Sequence, residues 1–137
     1  MRIIQIIDSL EAGGAERMAV SYANSLAKKI AFSGLVVTRK EGPLVRQIDA
    51  GVSYLYLHKK GVLDLKALFR LREYVKANQV TIVQAHSTSF FLAFLLRLIC
   101  PSVRLIWHDH YGDSEFLAQR PRLVLRLVLP FFSGIIA

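Results

Sequence analysis

Six short runs rich in Ile, Val and Leu alternate along this chain with segments whose apolar residues recur at helical spacing. That alternation constrains the fold more than any other feature. A strand, a helix and a parallel strand join by a right-handed crossover, and a series of such units builds a parallel sheet covered on both faces. The runs are almost continuously apolar, as strands buried on both sides are. Strands are expected at residues 2–8, 33–38, 52–57, 80–85 and 103–107, with a sixth starting at Gly134. Helices are expected at 14–30, just after Gly42-Pro43 as far as Gly51, from an Asp64 cap to Asn78, from a Ser87 or Thr88 cap to Cys100, and over 121–132. In the helix after Asp64, Leu65, Leu68, Leu71 and Val75 share one face. The expected class is therefore α/β, a Rossmann-like parallel sheet, with ligands at the carboxyl ends of the strands.

A length of 137 residues suits one domain with a real core. The sequence is 53% apolar, which excludes a disordered chain. Cys100 is the single cysteine, so no internal disulfide forms; it is expected to pack as a small hydrophobe in a reducing, cytoplasmic setting. The first apolar run is short and closed by Asp8 and Glu11, unlike a signal peptide. The longest apolar stretch, 90–100, contains Arg97 and is too short to span a bilayer. A net charge of +8 points to an anionic partner, either phosphate-bearing ligands or a membrane surface, or else simply serves solubility. Nucleic acid is not expected, because no basic run is interleaved with aromatics and no nucleic-acid motif is present. The sequence stops as its sixth strand begins, so the domain is expected to be the truncated front of a longer protein.

Three strand ends deliver polar groups to one edge. The first runs from Asp8 and Ser9 into the loop Gly13-Gly14-Ala15-Glu16-Arg17 and a helix. Glycine lets a ligand approach the backbone closely, and a helix start offers unpaired N–H groups and a positive dipole end. The loop lacks the third glycine of the dinucleotide fingerprint, and no acidic residue follows the second strand. The second strand end delivers His86, Ser87 and Thr88, and the third His108, Asp109, His110 and Tyr111. His108 and His110 point to one side of an extended chain, so a metal held with His86 is conceivable. Without a cysteine cluster or a His-Glu-x-x-His pattern no metal is expected; His108 contacting a sugar or phosphate is the alternative. Asp113 and Glu115 read as solvated loop carboxylates, and Glu16 as a residue that favours the helix dipole. Arg120, Arg122 and Arg126 flank an apolar face, which suits an anionic membrane interface or a buried covering helix.

The opening Ile6-Ile7-Asp8-Ser9-Leu10-Glu11-Ala12-Gly13-Gly14-Ala15-Glu16-Arg17 resembles the start of the retaining glycosyltransferases of family 4, which have the GT-B fold. The endings Ile82-Val83-Gln84-Ala85-His86-Ser87 and Leu105-Ile106-Trp107-His108-Asp109 are similar to the same family, in the same order. The resemblance covers the whole chain. It implies two Rossmann-like domains facing a cleft, with residues 1–137 as the N-terminal, acceptor-binding domain. It implies that Gly13 and Gly14 approach the donor phosphates and sugar. It implies that His108 acts near the reacting centre and that His86 lines the acceptor side, where Ser87, Asp109, His110 and Tyr111 are expected beside it from their strand ends. The family's Glu-x7-Glu element belongs to a C-terminal donor-binding domain absent from this sequence, so these residues alone are expected to be inactive.

The expected function is transfer of a sugar from a nucleotide-sugar donor to a saccharide or lipid-linked acceptor in glycan or cell-envelope polysaccharide synthesis. No cofactor is expected. The alternative is a non-catalytic acceptor-binding or membrane-recruiting subunit of a split glycosyltransferase. A nucleotide-binding oxidoreductase domain is disfavoured by the glycine pattern.

Overall fold

A computed structural model describes residues 1–61, 63–108 and 129–136. Strands β1 (Arg2–Ser9), β2 (Phe32–Lys40), β3 (Ser53–Tyr56), β4 (Ile82–His86), β5 (Arg104–His108) and β6 (Gly134–Ile136) form one sheet. Its order is β3-β2-β1-β4-β5-β6, and every pairing is parallel. Helices α1 (Gly14–Ala27), α2 (Leu65–Ala77) and α3 (Phe90–Ile99) connect the strands. The fold is therefore the α/β, Rossmann-like class that the alternation dictates.

Two apolar layers sandwich the sheet. On one side Ile7, Leu35 and Val37 meet Ala19, Val20 and Ala23 of α1, whose small side chains let helix and sheet approach closely. On the other, Ile4, Ile6, Val83 and Leu105 pack against Leu68, Leu71 and Val75 of α2 and Leu92 and Leu96 of α3. Cys100 is a buried free thiol in this second layer. Asp64 caps α2 through the Ala67 N–H at 3.1 Å, and it also accepts the Lys60 N–H at 2.9 Å. Those backbone N–H groups hold its carboxyl below the usual value.

Several local expectations change. The segment after Gly42 is a 3-10 turn, Pro43–Gln47, and not an α-helix. Helix α1 stops at Ala27, short of residue 30. Neither Ser87 nor Thr88 caps α3; Ser87–Ser89 form a 3-10 turn, Ser87 is left-handed at φ 53°, and α3 starts at Phe90. His86 and Ser89 instead form a capping box across this turn. Leu65, the first residue of α2, leaves the apolar face assigned to it and is 60% exposed; the buried face starts at Ala67 and Leu68. Of the helix expected over 121–132, only a 3-10 turn, Leu129–Phe131, lies within the described residues. Among the described residues no helix is long and apolar enough to cross a membrane.

Candidate functional site

The strand order reverses between β1 and β4, and their pairing stops at Ile6↔Ala85. Beyond that point lies a cleft of about 410 Å³, lined by Ile7, Asp8, Ser9, Gly14, Ala15, Glu16, Ser87 and Thr88. It occupies the place where parallel open sheets take their ligands.

The first wall is the β1–α1 loop. Leu10 is fully buried and anchors it: its N–H donates to Lys40 O at 3.2 Å, and its carbonyl accepts from Leu44 N at 3.2 Å. Gly42 packs directly on this loop; a Cβ there would lie 2.3 Å from Leu10 O. Gly13 is the N-cap of α1 and makes no side-chain cap bond. A Cβ at Gly13 would sit 2.6 Å from Glu16 Oε2, so the Glu16 carboxylate folds back over the helix start, where the dipole favours it. Around Gly14 the space is open, with no atom within 4 Å of a Cβ built there.

The floor carries Asp8. Its carboxylate accepts from Thr38 Oγ1 at 2.6 Å and also from Thr88 Oγ1, so β2 and the turn after β4 both hold it. Nearby, burial and the Arg39 charge push the Lys59 ammonium below its usual value, with Asp8 and Asp64 opposing them.

The second wall is the turn after β4. Ser89 Oγ accepts the His86 N–H at 3.0 Å and lies 2.8 Å from Ile6 O and 2.7 Å from His86 O, which binds β4 to β1. Trp107 Nε1 donates to Ser87 O at 2.9 Å, which binds the turn to β5. The left-handed φ of Ser87 is thus held from two sides.

Behind this wall the histidines meet. His86 and His108 are register partners on β4 and β5, with ring centroids 5.3 Å apart. Tyr22 of α1 lies 6.0 Å from the His86 ring and 5.6 Å from the His108 ring. His86 is fully buried, and its Nε2 lies 2.6 Å from Gln5 Oε1. With the amide so placed, His86 donates this bond, while Gln5 Nε2 is buried without a partner. His108 is 7% exposed, and its Nδ1 lies 3.4 Å from Gln84 Nε2.

The sheet thus brings Gly14 and Ser87 to one cleft, leaves Gly13 at the helix cap outside its lining, and buries His86 and His108. Asp109, His110, Tyr111, Asp113, Glu115, Arg120, Arg122 and Arg126 lie outside the described residues. Among the described residues no group of three or more His, Cys, Asp or Glu is arranged to hold a metal. Sequence reasoning did not single out Gln5, Gln84, Thr38 or Tyr22. A lone amide inside each apolar run, Gln5 and Gln84, was the available signal for the first two.

The chain matches the family model described as Glycosyltransferase Family 4 over residues 12–137. It belongs to glycosyltransferase family 4. No curated protein matches the sequence. This is therefore a glycosyltransferase domain, of a family that acts on a donor and an acceptor. Its parallel sheet is consistent with one half of a GT-B architecture.

Proposed function

We propose that this family 4 domain is the acceptor-side half of a hexosyltransferase that moves a sugar from a nucleotide-sugar to a saccharide or lipid-linked acceptor. The cleft at the β1–β4 reversal carries the reading, because it joins open backbone at Gly14 to a wall of hydroxyls and the Asp8 carboxylate, with the Glu16 carboxylate at the helix start as the group a donor phosphate displaces. The Gly14 end of α1 faces the donor diphosphate and sugar, where backbone N–H groups offset charge on the leaving group. Asp8, Ser87 and Thr88 suit an acceptor hydroxyl, since carboxylates and hydroxyls accept and exchange hydrogen bonds with sugars. His108 contributes at the reacting centre from behind, with Asp109, His110 and Tyr111 following it on the acceptor side. Turnover also needs a donor-holding half, so residues 1–137 alone are inactive. Working cytoplasmically at the inner membrane face, the enzyme serves glycan or cell-envelope polysaccharide synthesis. No cofactor takes part.

Gly14→Val and His108→Ala test this in the full-length enzyme, after a screen of nucleotide-sugars by nucleotide release. Turnover is expected to fall at least tenfold for Gly14→Val with the melting temperature kept, on the order of the loss of one charge-stabilising contact. Wild-type turnover in both variants would refute the site.

A further inference from the structure

We propose that the loop before α2 and the first turns of that helix form a docking surface for an anionic phospholipid bilayer. The inference rests on the membrane reading above and assigns it to residues other than Arg120, Arg122 and Arg126.

Helix α2 buries Ala67, Leu68, Leu71 and Val75 against the sheet. Its outward face should then be polar. Instead Leu65 and Phe69 are 60% and 52% exposed, and Leu63 just before the helix is 68% exposed. Leu65 and Phe69 are four residues apart and so share one face. Three large apolar side chains on one helix start are an exposed patch that calls for a covering phase.

The charge around the patch selects that phase. Between residues 59 and 73 the sequence has five Lys or Arg and two acids. Both acids are engaged locally: Asp64 with the backbone N–H groups of Lys60 and Ala67, and Glu73 with Arg72 at 3.7 Å. Lys60, Lys66 and Arg70 surround a pocket of about 260 Å³ that also takes in His58 and the backbone-bound Asp64, three cations against one carboxylate. Among the described residues Lys66 and Arg70 form no salt bridge. Arg70 reaches back to Leu57 O at 3.0 Å, which holds its stem along the helix and its charge at the pocket. An apolar ridge edged with cations and a small cationic pocket fits acyl chains beside phosphate headgroups.

The position serves the reaction. The start of α2 lies at the carboxyl edge of the sheet, past β3, and the cleft opens on the same edge between β1 and β4. Three strand spacings separate β3 from β4, or about 14 Å. A lipid-linked acceptor in a bilayer at α2 is therefore within a headgroup's reach of the cleft.

Co-sedimentation of the full-length protein with vesicles is the test, using phosphatidylcholine alone or mixed with phosphatidylglycerol. Binding to the mixed vesicles only, weakened by salt, is expected. Lys60→Gln with Lys66→Gln should lower partitioning about thirty-fold, about five- to six-fold for each of the two cations near an anionic surface. Leu65→Ser with Phe69→Ser should also weaken it, and all four positions are exposed, so circular dichroism should show unchanged folding. If the wild type binds mixed vesicles and both double variants bind equally well, this surface is wrong while the membrane reading stands. If the wild type binds neither vesicle, both fall. A wild-type dimer that Leu65→Ser with Phe69→Ser converts to monomer, without vesicle binding, would make the occupant a second copy and overturn the proposal.

Discussion

Gly42→Ala is the substitution whose cost the structure states most directly. The Gly42 backbone has φ −152°, extended geometry open to any residue, so only space is at issue. A Cβ would lie 2.3 Å from Leu10 O, 2.5 Å from Leu10 C and 2.7 Å from Glu11 N. All three are backbone atoms, and none can swing away as a side-chain tip would. Contact needs about 3.5 Å, so the two segments must separate by roughly 1 Å. Overpacking of this kind costs about 1–3 kcal/mol. The separation also strains the bonds from Leu44 N to Leu10 O and from Leu10 N to Lys40 O, both 3.2 Å, worth about 1 kcal/mol each. The expected loss is about 2–4 kcal/mol, or roughly 8–15 °C in melting temperature for a domain of this size. Urea unfolding followed by circular dichroism reads it as a lower midpoint at constant slope. Gly14→Ala is the control, with open space around the new methyl and a midpoint equal to or above that of the wild type. A Gly42→Ala midpoint within about 0.5 kcal/mol of wild type would refute the reasoning.

Two further outcomes rest on buried and capping groups. His86→Leu strips Gln5 Oε1 of its partner and removes the His86 half of the capping box, and should cost about 2–3 kcal/mol; adding Gln5→Leu should recover at least about 1 kcal/mol, the share that belongs to the unpaired buried amide. A double-mutant cycle that proves additive within about 0.5 kcal/mol would sink that account. The folded-state pKa of Asp64 is lowered, so its capping contribution is present above the unfolded carboxylate value and is lost as pH falls through the folded one. Asp64→Asn should flatten that acid limb of the urea midpoint, and a wild-type–variant difference constant with pH would contradict it.

The order of elements was legible because each apolar run carries its own period. Parallel topology then predicts which strand ends meet, and so puts Asp8, His86 and His108 on one edge. What escaped was whatever depends on contact between distant segments. The sequence drew attention to Gly13-Gly14, yet Gly42 is the glycine pressed against backbone, and only the packing of β2's exit on Leu10 reveals it. Periodicity assigned Leu65 to the core face, but periodicity does not say where along a helix the buried face starts. Gln5 and Gln84 interrupt apolar strands for a reason visible only once β1, β4 and β5 stand side by side. Ser87 looked like a cap, but the capping box of His86 and Ser89 makes it the strained middle of a turn.

The β1–β4 boundary has a mechanical meaning. Pairing there runs only from Ile3↔Ile82 to Ile6↔Ala85, whereas β1 and β2 stay in register from Arg2↔Phe32 to Ile7↔Val37 and rejoin at Ser9↔Lys40. Where that ladder stops, the Ser89 hydroxyl on Ile6 O and Thr88 on Asp8 carry the link between β1 and the turn after β4 a step further. Gly14 and Ser87 stand on opposite sides of this boundary, so a ligand touching both would add a bridge to the two that side chains already make.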